Sequence, residues 1–323
     1  MSIKIAVYGA GAIGSHLAWR LARGGAQVGV VARGARLQAI RTHGLHVATT
    51  TESTALAVAA EEDPARLGPQ DLVFITVKDR DLASVAPGLA PLLHAGTAIV
   101  SVQNGIPWWY FGRRAGRSTR QLPARHPAAA QLDAVIGERP LFGAVVSSPS
   151  TVTGTGIVQL DGANHAVWLG ATRADGDGTA AGTLAALFTA GGIRAAVPPD
   201  IREPVWDKLV RNACTGLIAL LTNHAPAEVM DDPVLHRLSC TLAHEVAAIA
   251  GAYGYHPDPD APSLAVARAL HHVPSLVQDF RSGRVPELDC QCFAPLGMAR
   301  LAGVAVPQLE LLAALARKLV QAP

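Results

Sequence analysis

The sequence predicts an α/β fold, in which an N-terminal doubly wound domain over residues 1–199 precedes an all-α domain over residues 200–323. In the first third of the chain, short apolar runs alternate with amphipathic stretches, which is the pattern of βαβ units in a parallel sheet. After Pro198-Pro199 no convincing strand pattern remains, and helical periodicity continues to the end of the chain. A chain of 323 residues is also long enough for two domains that each bury a core.

The elements of the first domain follow from apolar runs and from the helical spacing of apolar residues. Apolar runs predict strands at Ile3–Tyr8, Val28–Ala32, Leu72–Val77, Ala98–Val102, Phe142–Ser147, Ile157–Leu160, Ala166–Leu169 and Arg194–Val197. Helical spacing predicts helices at Ile13–Gly24, Ala35–His43, Leu82–Leu93 and Asp175–Leu187. Pro87 and Pro91 stand inside the third of these helices, where a proline removes a hydrogen bond and favours a break.

The second domain is predicted to be entirely helical. Its helices are expected at Val205–Thr222, Ala227–Tyr253, Pro262–Arg281 and Pro307–Gln321. A homodimer formed through this domain would be compatible with the pattern.

Between the fourth strand and the next, residues 113–125 carry five arginines among Gly, Ser and Pro. A solvated loop is the first interpretation of that segment, and an anion-binding flap is the alternative.

Composition limits the partners that the chain can have. Hydrophobic residues make up 50% and charged residues 16%, with a formal net charge of +2, which is typical of a globular protein and gives no support to a nucleic-acid partner. No window approaches the roughly 18 consecutive apolar residues of a membrane span. The first predicted strand begins within two residues of the N-terminus and leaves no room for a signal peptide. We therefore expect a cytoplasmic protein with no membrane partner.

The four cysteines do not follow a metal-binding pattern. They lack paired C-x-x-C spacing and have no histidines at zinc-site intervals; they are Cys214, Cys240, Cys290 and Cys292. We therefore expect buried, reduced thiols and no metal site.

A glycine-rich run, GAGAIG from Gly9 to Gly14, follows the first predicted strand and opens the first predicted helix. This context is that of a dinucleotide-binding, Rossmann-type domain, whereas the same run elsewhere would indicate only a turn. Gly9 would allow the tight turn, Gly11 the approach of a pyrophosphate, and Gly14 the close packing of helix against strand. The phosphates would then meet the amides of the helix N-terminus.

The end of the second predicted strand indicates which dinucleotide is bound. NAD-binding domains usually place Asp or Glu there, but this chain has the run ARGAR from Ala32 to Arg36. A guanidinium can bind a 2′-phosphate bidentately, whereas a carboxylate would repel it. Arg33 therefore favours NADP(H), and the alternative is a solvated surface arginine.

Three later segments carry polar residues that suit chemistry. The run SVQNG contains Asn104 at the carboxyl edge of the sheet, where doubly wound folds bind ligands, although a plain turn explains it equally well. Lys208 and Asn212 are four residues apart and share a helix face, although a solvated lysine is the usual interpretation. The runs SLVQD from Ser275 and PELD from Pro286 are, by pattern alone, typical of an exposed, charged helix end.

Taken together, these segments resemble the 2-dehydropantoate 2-reductase (ketopantoate reductase) family. The resemblance runs from Gly9 to Pro307, and the order and spacing of its anchors are specific. Those anchors are the glycine run, Val77-Lys78, Gln103-Asn104-Gly105, Trp206-x-Lys208 with Asn212, and Ser275-x-x-Gln278-Asp279 before Glu287-x-Asp289. The resemblance implies NADPH-dependent reduction of a small 2-keto acid to its 2-hydroxy acid, above all of 2-dehydropantoate to pantoate in pantothenate biosynthesis.

The resemblance also implies a role for each matching residue. Lys208 would be the general acid, and Glu287 would orient the lysine or the substrate hydroxyl. Substrate-binding residues would be Asn104, Asn212 and Ser275. Cofactor-binding residues would be Gly9, Gly11, Ala12, Ile13, Gly14, Arg33, Lys78 and Asn104. An ammonium suits this chemistry because hydride transfer leaves negative charge on the carbonyl oxygen. Burial would lower the pKa of such a lysine, and Glu287 would oppose that change.

Two positions depart from the family pattern. Members usually carry a second asparagine where this chain has Gly216, and many have threonine where it has Pro286. The missing amide would cost about 1–3 kcal/mol if its substrate group stayed unpaired, and the glycine leaves space for a bulkier substrate. Two alternatives therefore stay open: a relative that reduces a different keto or imino acid, and a non-catalytic NADP(H)-binding sensor.

Overall fold

The computed structural model describes residues 2–112, 126–154, 156–173, 178–260 and 272–321. Contacts divide these residues into two compact units. The sheet unit contains residues 2–103, 112 and 126–201, and the helical unit contains residues 104–111 and 202–321, apart from the gaps just given. The predicted fold class, an α/β region followed by a helical region, is confirmed. The arginine-rich segment 113–125 lies outside the described residues.

Two β-sheets form the framework of the sheet unit. The strands are β1 (Lys4–Tyr8), β2 (Gln27–Val31), β3 (Leu45–Ala48), β4 (Ser53–Leu56), β5 (Ala59–Glu61), β6 (Leu72–Ile75), β7 (Ala98–Ser101), β8 (Leu141–Ser147), β9 (Ser150–Val152), β10 (Val158–Leu160), β11 (Ala166–Ala171) and β12 (Arg194–Ala196). The main sheet has the order β12-β11-β8-β7-β6-β1-β2-β5, and the smaller one β4-β3-β10-β9. Neighbours in the main sheet are parallel except for β8 with β11.

Helices pack against the main sheet and give it a core on both faces. They are α1 (Ala12–Arg23), α2 (Gly34–His43), α3 (Leu82–Leu89), α4 (Ala129–Ile136) and α5 (Gly178–Ala190). Residues 5–7 of β1 are fully buried, because a parallel strand covered on both faces consists of consecutive apolar residues. Leu17 and Leu21, one turn apart on α1, are fully buried as well. The junction between β1 and α1 is therefore rigid, and it carries the glycine run.

Several strands of the sheet unit escape sequence-based prediction. The strands β3, β4, β5 and β9 have only three or four residues, with small or polar side chains in most positions. Such segments are too short to show the apolar run or the sustained alternation by which strands are recognised. The helix expected from Asp175 to Leu187 is present as α5, whose last residue is Ala190.

The two prolines expected to favour a break in the third helix behave differently. Helix α3 continues through Pro87, whose neighbours Val85 and Ala86 are buried, so that packing outweighs the lost hydrogen bond. The α-helix ends at Leu89, and Pro91 lies in a short 3₁₀ turn that follows.

The described part of the helical unit contains no strand, as the sequence predicts. Its helices are α6 (Arg202–Thr222), α7 (Pro226–Asp231), α8 (Pro233–Ala252), α9 (Ser275–Arg281), α10 (Ala294–Ala302) and α11 (Pro307–Gln321). Trp206 and Leu209 of α6 are buried, whereas Lys208, Arg211 and Asn212 are only partly buried. Within the described ranges, no helix is both long and apolar enough to cross a membrane.

The helix predicted at Ala227–Tyr253 is in fact two helices. The carboxylate of Asp232 accepts hydrogen bonds from the amides of Val234 and Leu235, at 2.8 and 3.0 Å. Asp232 is thus the N-cap of α8, and Pro233 occupies the first helical position, where its missing N–H costs nothing. The prediction was wrong because the apolar spacing continues across this cap.

The helix predicted at Pro262–Arg281 is also not continuous. Residues 272–274 are not helical, and α9 begins at Ser275, directly after Pro274. Residues 261–271 lie outside the described part of the chain. A π-helical turn, Asp289–Phe293, and the helix α10 that continues it were not predicted, because polar and apolar residues alternate along the turn.

Candidate active site

The glycine run connects β1 to α1 through a turn that two of its glycines make possible. Gly9 has a φ of +112°, a conformation that side chains rarely adopt. A Cβ on Gly14 would lie 1.9 Å from the carbonyl oxygen of Gly9. The hydroxyl of Thr76, which follows β6, donates to that same oxygen at 2.6 Å. The conformation and packing of the turn therefore require glycine at positions 9 and 14.

The third glycine, Gly11, faces open space. No atom of the described chain lies within 4 Å of a Cβ built on it. Gly11 is the N-cap of α1, no side chain caps the helix there, and no acidic residue lies in the first turn. The amides of a helix N-terminus that is open in this way can bind a phosphate.

Basic residues around the turn divide into one that supports it and two that can contact a ligand. Arg36, partly buried, donates at 2.8 Å to the carbonyl oxygen of Ala10 and at 2.8 Å to the hydroxyl of Ser15, so it holds the turn. Arg33, the N-cap of α2, is exposed at the end of β2. Lys78 stands beyond the end of β6 and is partly buried. The supporting roles of Arg36 and Thr76 were not evident from the sequence.

In the helical unit, a lysine and an asparagine from distant parts of the chain meet. The Nζ atom of Lys208, on α6, donates a hydrogen bond of 2.7 Å to Oδ1 of Asn104. Trp206, two residues earlier and fully buried, donates through its indole N–H to the hydroxyl of Tyr110 at 2.7 Å. That bond ties α6 to the segment that carries Asn104.

Lys208 is set to exchange a proton near neutral pH. Burial and, to a smaller extent, the neighbouring charge of Arg211 lower its pKa from 10.5 to about 8. The carboxylate of Glu287 acts in the opposite direction and raises it. Glu287 is itself buried, with 7% of its surface exposed. Loss of hydration therefore outweighs the attraction of the carboxylate, which answers the question that the sequence left open.

Asn104 is placed by the π-helical turn. Gly105 has a φ of +67°, and a Cβ on it would lie 2.3 Å from the carbonyl oxygen of Cys290. The amide of Ile106 donates to that oxygen at 2.8 Å. Only glycine permits this close approach, so the Asn-Gly pair serves packing as well as the turn that the pattern indicates.

The remaining predicted substrate residues lie further along α6 and at the start of α9. Asn212 donates through Nδ2 to Oε1 of Gln291 at 3.3 Å. Ser275 is the first residue of α9 and is partly buried. The next residue, Leu276, lies 3.5 Å from a Cβ built on Gly216. Gln291 and Arg211 were not identified from the sequence; the only available signal was the proximity of Gln291 to the Glu287-x-Asp289 anchor.

The cysteines are not candidates for chemistry. Cys214, Cys290 and Cys292 are buried, as predicted, and form no disulfide among the described residues, whereas Cys240 is only partly buried. Burial raises the pKa of both Cys214 and Cys292 to about 12, so these thiols stay protonated at neutral pH.

Comparison with known proteins places this arrangement in a family. Family models described as "Ketopantoate reductase PanE/ApbA" and "Ketopantoate reductase PanE/ApbA C terminal" match residues 5–109 and 200–320, which together make up more than half of the chain. The chain belongs to the ketopantoate reductase family. Its members are oxidoreductases, and the resemblance stated from the sequence is confirmed.

Individual relatives of the ketopantoate reductase family match over almost the whole chain. A 2-dehydropantoate 2-reductase of Mesorhizobium japonicum is 33% identical and covers 98% of both sequences. The crystal structure of a candidate ketopantoate reductase from Ralstonia solanacearum MolK2 is 31% identical, covers 99% of this chain and 98% of that chain, and has a TM-score of 0.88. A D-mandelate dehydrogenase crystallised with NADH and anilino(oxo)acetate shares the fold, with a TM-score of 0.83 at 21% identity over 98% of both chains.

The two departures from the ketopantoate reductase pattern have different surroundings. Gly216 is buried in α6, and among the described residues outside that helix a Cβ on it would contact only Leu276. That contact is ordinary van der Waals packing, so the position has room for a side chain. Pro286 directly precedes Glu287 in the segment between α9 and the π-helical turn, where it has no helical hydrogen bond to interrupt.

Proposed function

We propose that this chain reduces a 2-keto acid to the 2-hydroxy acid with NADPH, and that 2-dehydropantoate is the leading substrate. The observation that carries the proposal is the hydrogen bond from Lys208 to Asn104, on a lysine whose pKa is lowered to about 8. A group with such a pKa is protonated at pH 7 and still releases its proton readily, which is what a general acid at neutral pH requires.

Each residue then has a defined task. When bound, a nicotinamide cofactor would supply the hydride that reduces the carbonyl carbon of the substrate. The ammonium of Lys208 stabilises the negative charge that grows on the carbonyl oxygen and delivers a proton to it. Asn104 accepts a hydrogen bond from the ammonium and so fixes its direction, while Glu287 keeps the lysine charged. In the sheet unit, the amides that follow Gly11 bind phosphate.

The preference for NADPH rests on Arg33. It stands exposed at the end of β2, where a carboxylate would select NAD. Arg36 is not available for this role because its guanidinium is bonded to the glycine turn. We therefore assign the 2′-phosphate to Arg33, with Lys78 as a second cofactor contact.

A second candidate function is the reduction of a different keto or imino acid. It is favoured by Gly216, which removes an amide of the family pattern and leaves room beside Leu276. Initial rates of NADPH oxidation with 2-dehydropantoate and with a panel of linear, branched and aromatic 2-keto acids distinguish the two. The proposal predicts the highest kcat/KM for 2-dehydropantoate. A panel member with a higher kcat/KM would establish the second candidate.

A third possibility, a sensor that binds NADP(H) without turnover, is tested in the same assay. Binding of NADPH together with no oxidation by any keto or imino acid would support it. The retained lysine, asparagines and glutamate argue for an enzyme, since a sensor needs none of them.

A further inference from the structure

The side-chain N–H₂ group of Gln291 has no hydrogen-bond partner among the described residues. The residue is central in the π-helical turn and only 6% exposed. Its Oε1 atom accepts the hydrogen bond from Asn212, but its Nε2 atom is buried without a hydrogen-bond partner in the described chain. A buried unpaired N–H₂ group is costly, and π-helical turns are frequent at functional sites. The unpaired Nε2 atom therefore indicates a site where a ligand can accept a hydrogen bond.

The turn that carries Gln291 is held in contact with both parts of the candidate site. Its backbone nitrogen would lie 2.9 Å from a Cβ on Gly105, the neighbour of Asn104. Its side chain reaches Asn212, which is one helical turn beyond Lys208 on the same face of α6. The unpaired Nε2 atom thus belongs to the surroundings of the proposed proton donor.

Gln291 contacts the helix position one turn before the missing amide of the family pattern. Lys208, Asn212 and Gly216 follow each other at intervals of four on α6, and Gly216 contributes no side chain. Gln291 bonds to the second of these three positions and comes from a different element. The π-helical turn therefore offers an amide donor beside a helix face on which position 216 offers none.

Charge indicates which substrate group this donor meets. The carboxylate of a 2-keto acid is attracted to the cations Lys208 and Arg211. Arg211 is close enough that its charge lowers the pKa of Lys208. A neutral amide N–H suits a neutral acceptor, such as a hydroxyl oxygen on the side chain of the substrate.

We propose that Nε2 of Gln291 donates a hydrogen bond to the side-chain hydroxyl of the substrate and thereby selects hydroxylated 2-keto acids. This inference rests on the proposed function and deepens it. It makes Gln291 a specificity-determining residue on an element other than α6.

The test compares two substrates that differ only in that hydroxyl. kcat/KM is measured for 2-dehydropantoate and for 3,3-dimethyl-2-oxobutanoate, the same keto acid without the hydroxyl. In Gln291→Met, which keeps volume and removes the amide, kcat/KM for 2-dehydropantoate should fall about tenfold or more. kcat/KM for the analogue should stay close to the wild-type value.

Two further variants keep the test decisive. Gln70 is also 6% exposed, but its Nε2 is bonded to the carbonyl oxygens of Leu67 and Gly68, so Gln70→Met should affect both substrates alike. The double variant Gln291→Met, Gly216→Asn should regain selectivity for the hydroxylated substrate. Gln291→Glu, which keeps an oxygen for Asn212 and removes the donor, replaces Gln291→Met if that variant folds poorly.

The outcomes separate the inference from the proposed function. Equal loss of kcat/KM on both substrates in Gln291→Met would overturn the role of Gln291 and leave the reductase assignment intact. Failure of the wild-type chain to reduce either substrate, or any other 2-keto acid, would instead contradict the proposed function and the inference with it.

Discussion

The Nζ atom of Lys208 lies 2.7 Å from Oδ1 of Asn104, a residue 104 positions earlier in the chain. The lysine comes from the first helix of the helical unit and the asparagine from residues 104–111, which belong to the same unit. The pair is thus built within one compact body. Burial around it lowers the pKa of the lysine to about 8.

The first prediction concerns the pH dependence of the reaction. Lys208 acts in its protonated form, so kcat/KM should be constant below its pKa and should fall as pH rises through about 8. A pH profile of 2-dehydropantoate reduction, measured under subsaturating substrate, checks this. A profile that stays flat to the pKa of an ordinary lysine, about 10.4, would exclude Lys208 as the titrating acid.

The second prediction concerns the two charges next to the lysine. Arg211 lowers the pKa of Lys208 and Glu287 raises it. Arg211→Met should therefore move the descending limb of the profile to higher pH, and Glu287→Gln should move it to lower pH. The two variants control each other, because a general disturbance of the site would not shift the limb in opposite directions.

The third prediction separates two glycines of the nucleotide turn. Gly14→Ala should lower the thermal unfolding midpoint, because its Cβ would lie 1.9 Å from the carbonyl oxygen of Gly9. Gly11→Ala should leave that midpoint nearly unchanged, because its Cβ meets nothing within 4 Å, but it should weaken NADPH binding by occupying the space of the phosphates. Calorimetry and fluorescence titration with NADPH measure the two effects. Unchanged NADPH binding in Gly11→Ala would place the phosphates elsewhere.

Much of the sheet unit could be predicted, because the signals there are local. The glycine run, the strand before it and the helix after it stand within 20 residues, and their geometry is as expected. The short strands β3 and β4 could not be predicted, since each has only four residues and depends on pairing with its neighbours, β3 with β4 and β10, and β4 with β3. A local sequence pattern predicts a helix or strand well when that element is buried along its whole length.

The candidate site was less accessible to local reasoning. The pattern allowed a solvated Lys208 and a plain turn at Asn104; only the family resemblance joined them across the chain. Gln291 had no signal beyond its proximity to the Glu287-x-Asp289 anchor, because a π-helical turn has no characteristic spacing of apolar residues and the unpaired Nε2 atom is visible only in three dimensions. Contacts between segments that are far apart in the chain leave no local pattern from which they could be predicted.

The fourth prediction concerns cofactor selection. Arg33→Ala should weaken NADPH binding about tenfold or more, as expected for the loss of a charge-assisted contact to phosphate, and should leave NADH binding nearly unchanged. The matched control is Arg36→Ala, which removes the bonds to Ala10 and Ser15 and should weaken both dinucleotides together. Fluorescence titration gives all four affinities. If Arg33→Ala weakened the binding of NADH and NADPH equally, Arg33 would not be the residue that contacts the 2′-phosphate.

The most direct test of the central claim is the Lys208→Met variant, assayed for NADPH oxidation with 2-dehydropantoate and for NADPH binding in parallel. If Lys208 is the proton donor, kcat should fall about a hundredfold or more, while the Kd for NADPH and the unfolding midpoint stay close to the wild-type values. A kcat that remains within a few-fold of wild type would contradict the assignment of Lys208 as the general acid.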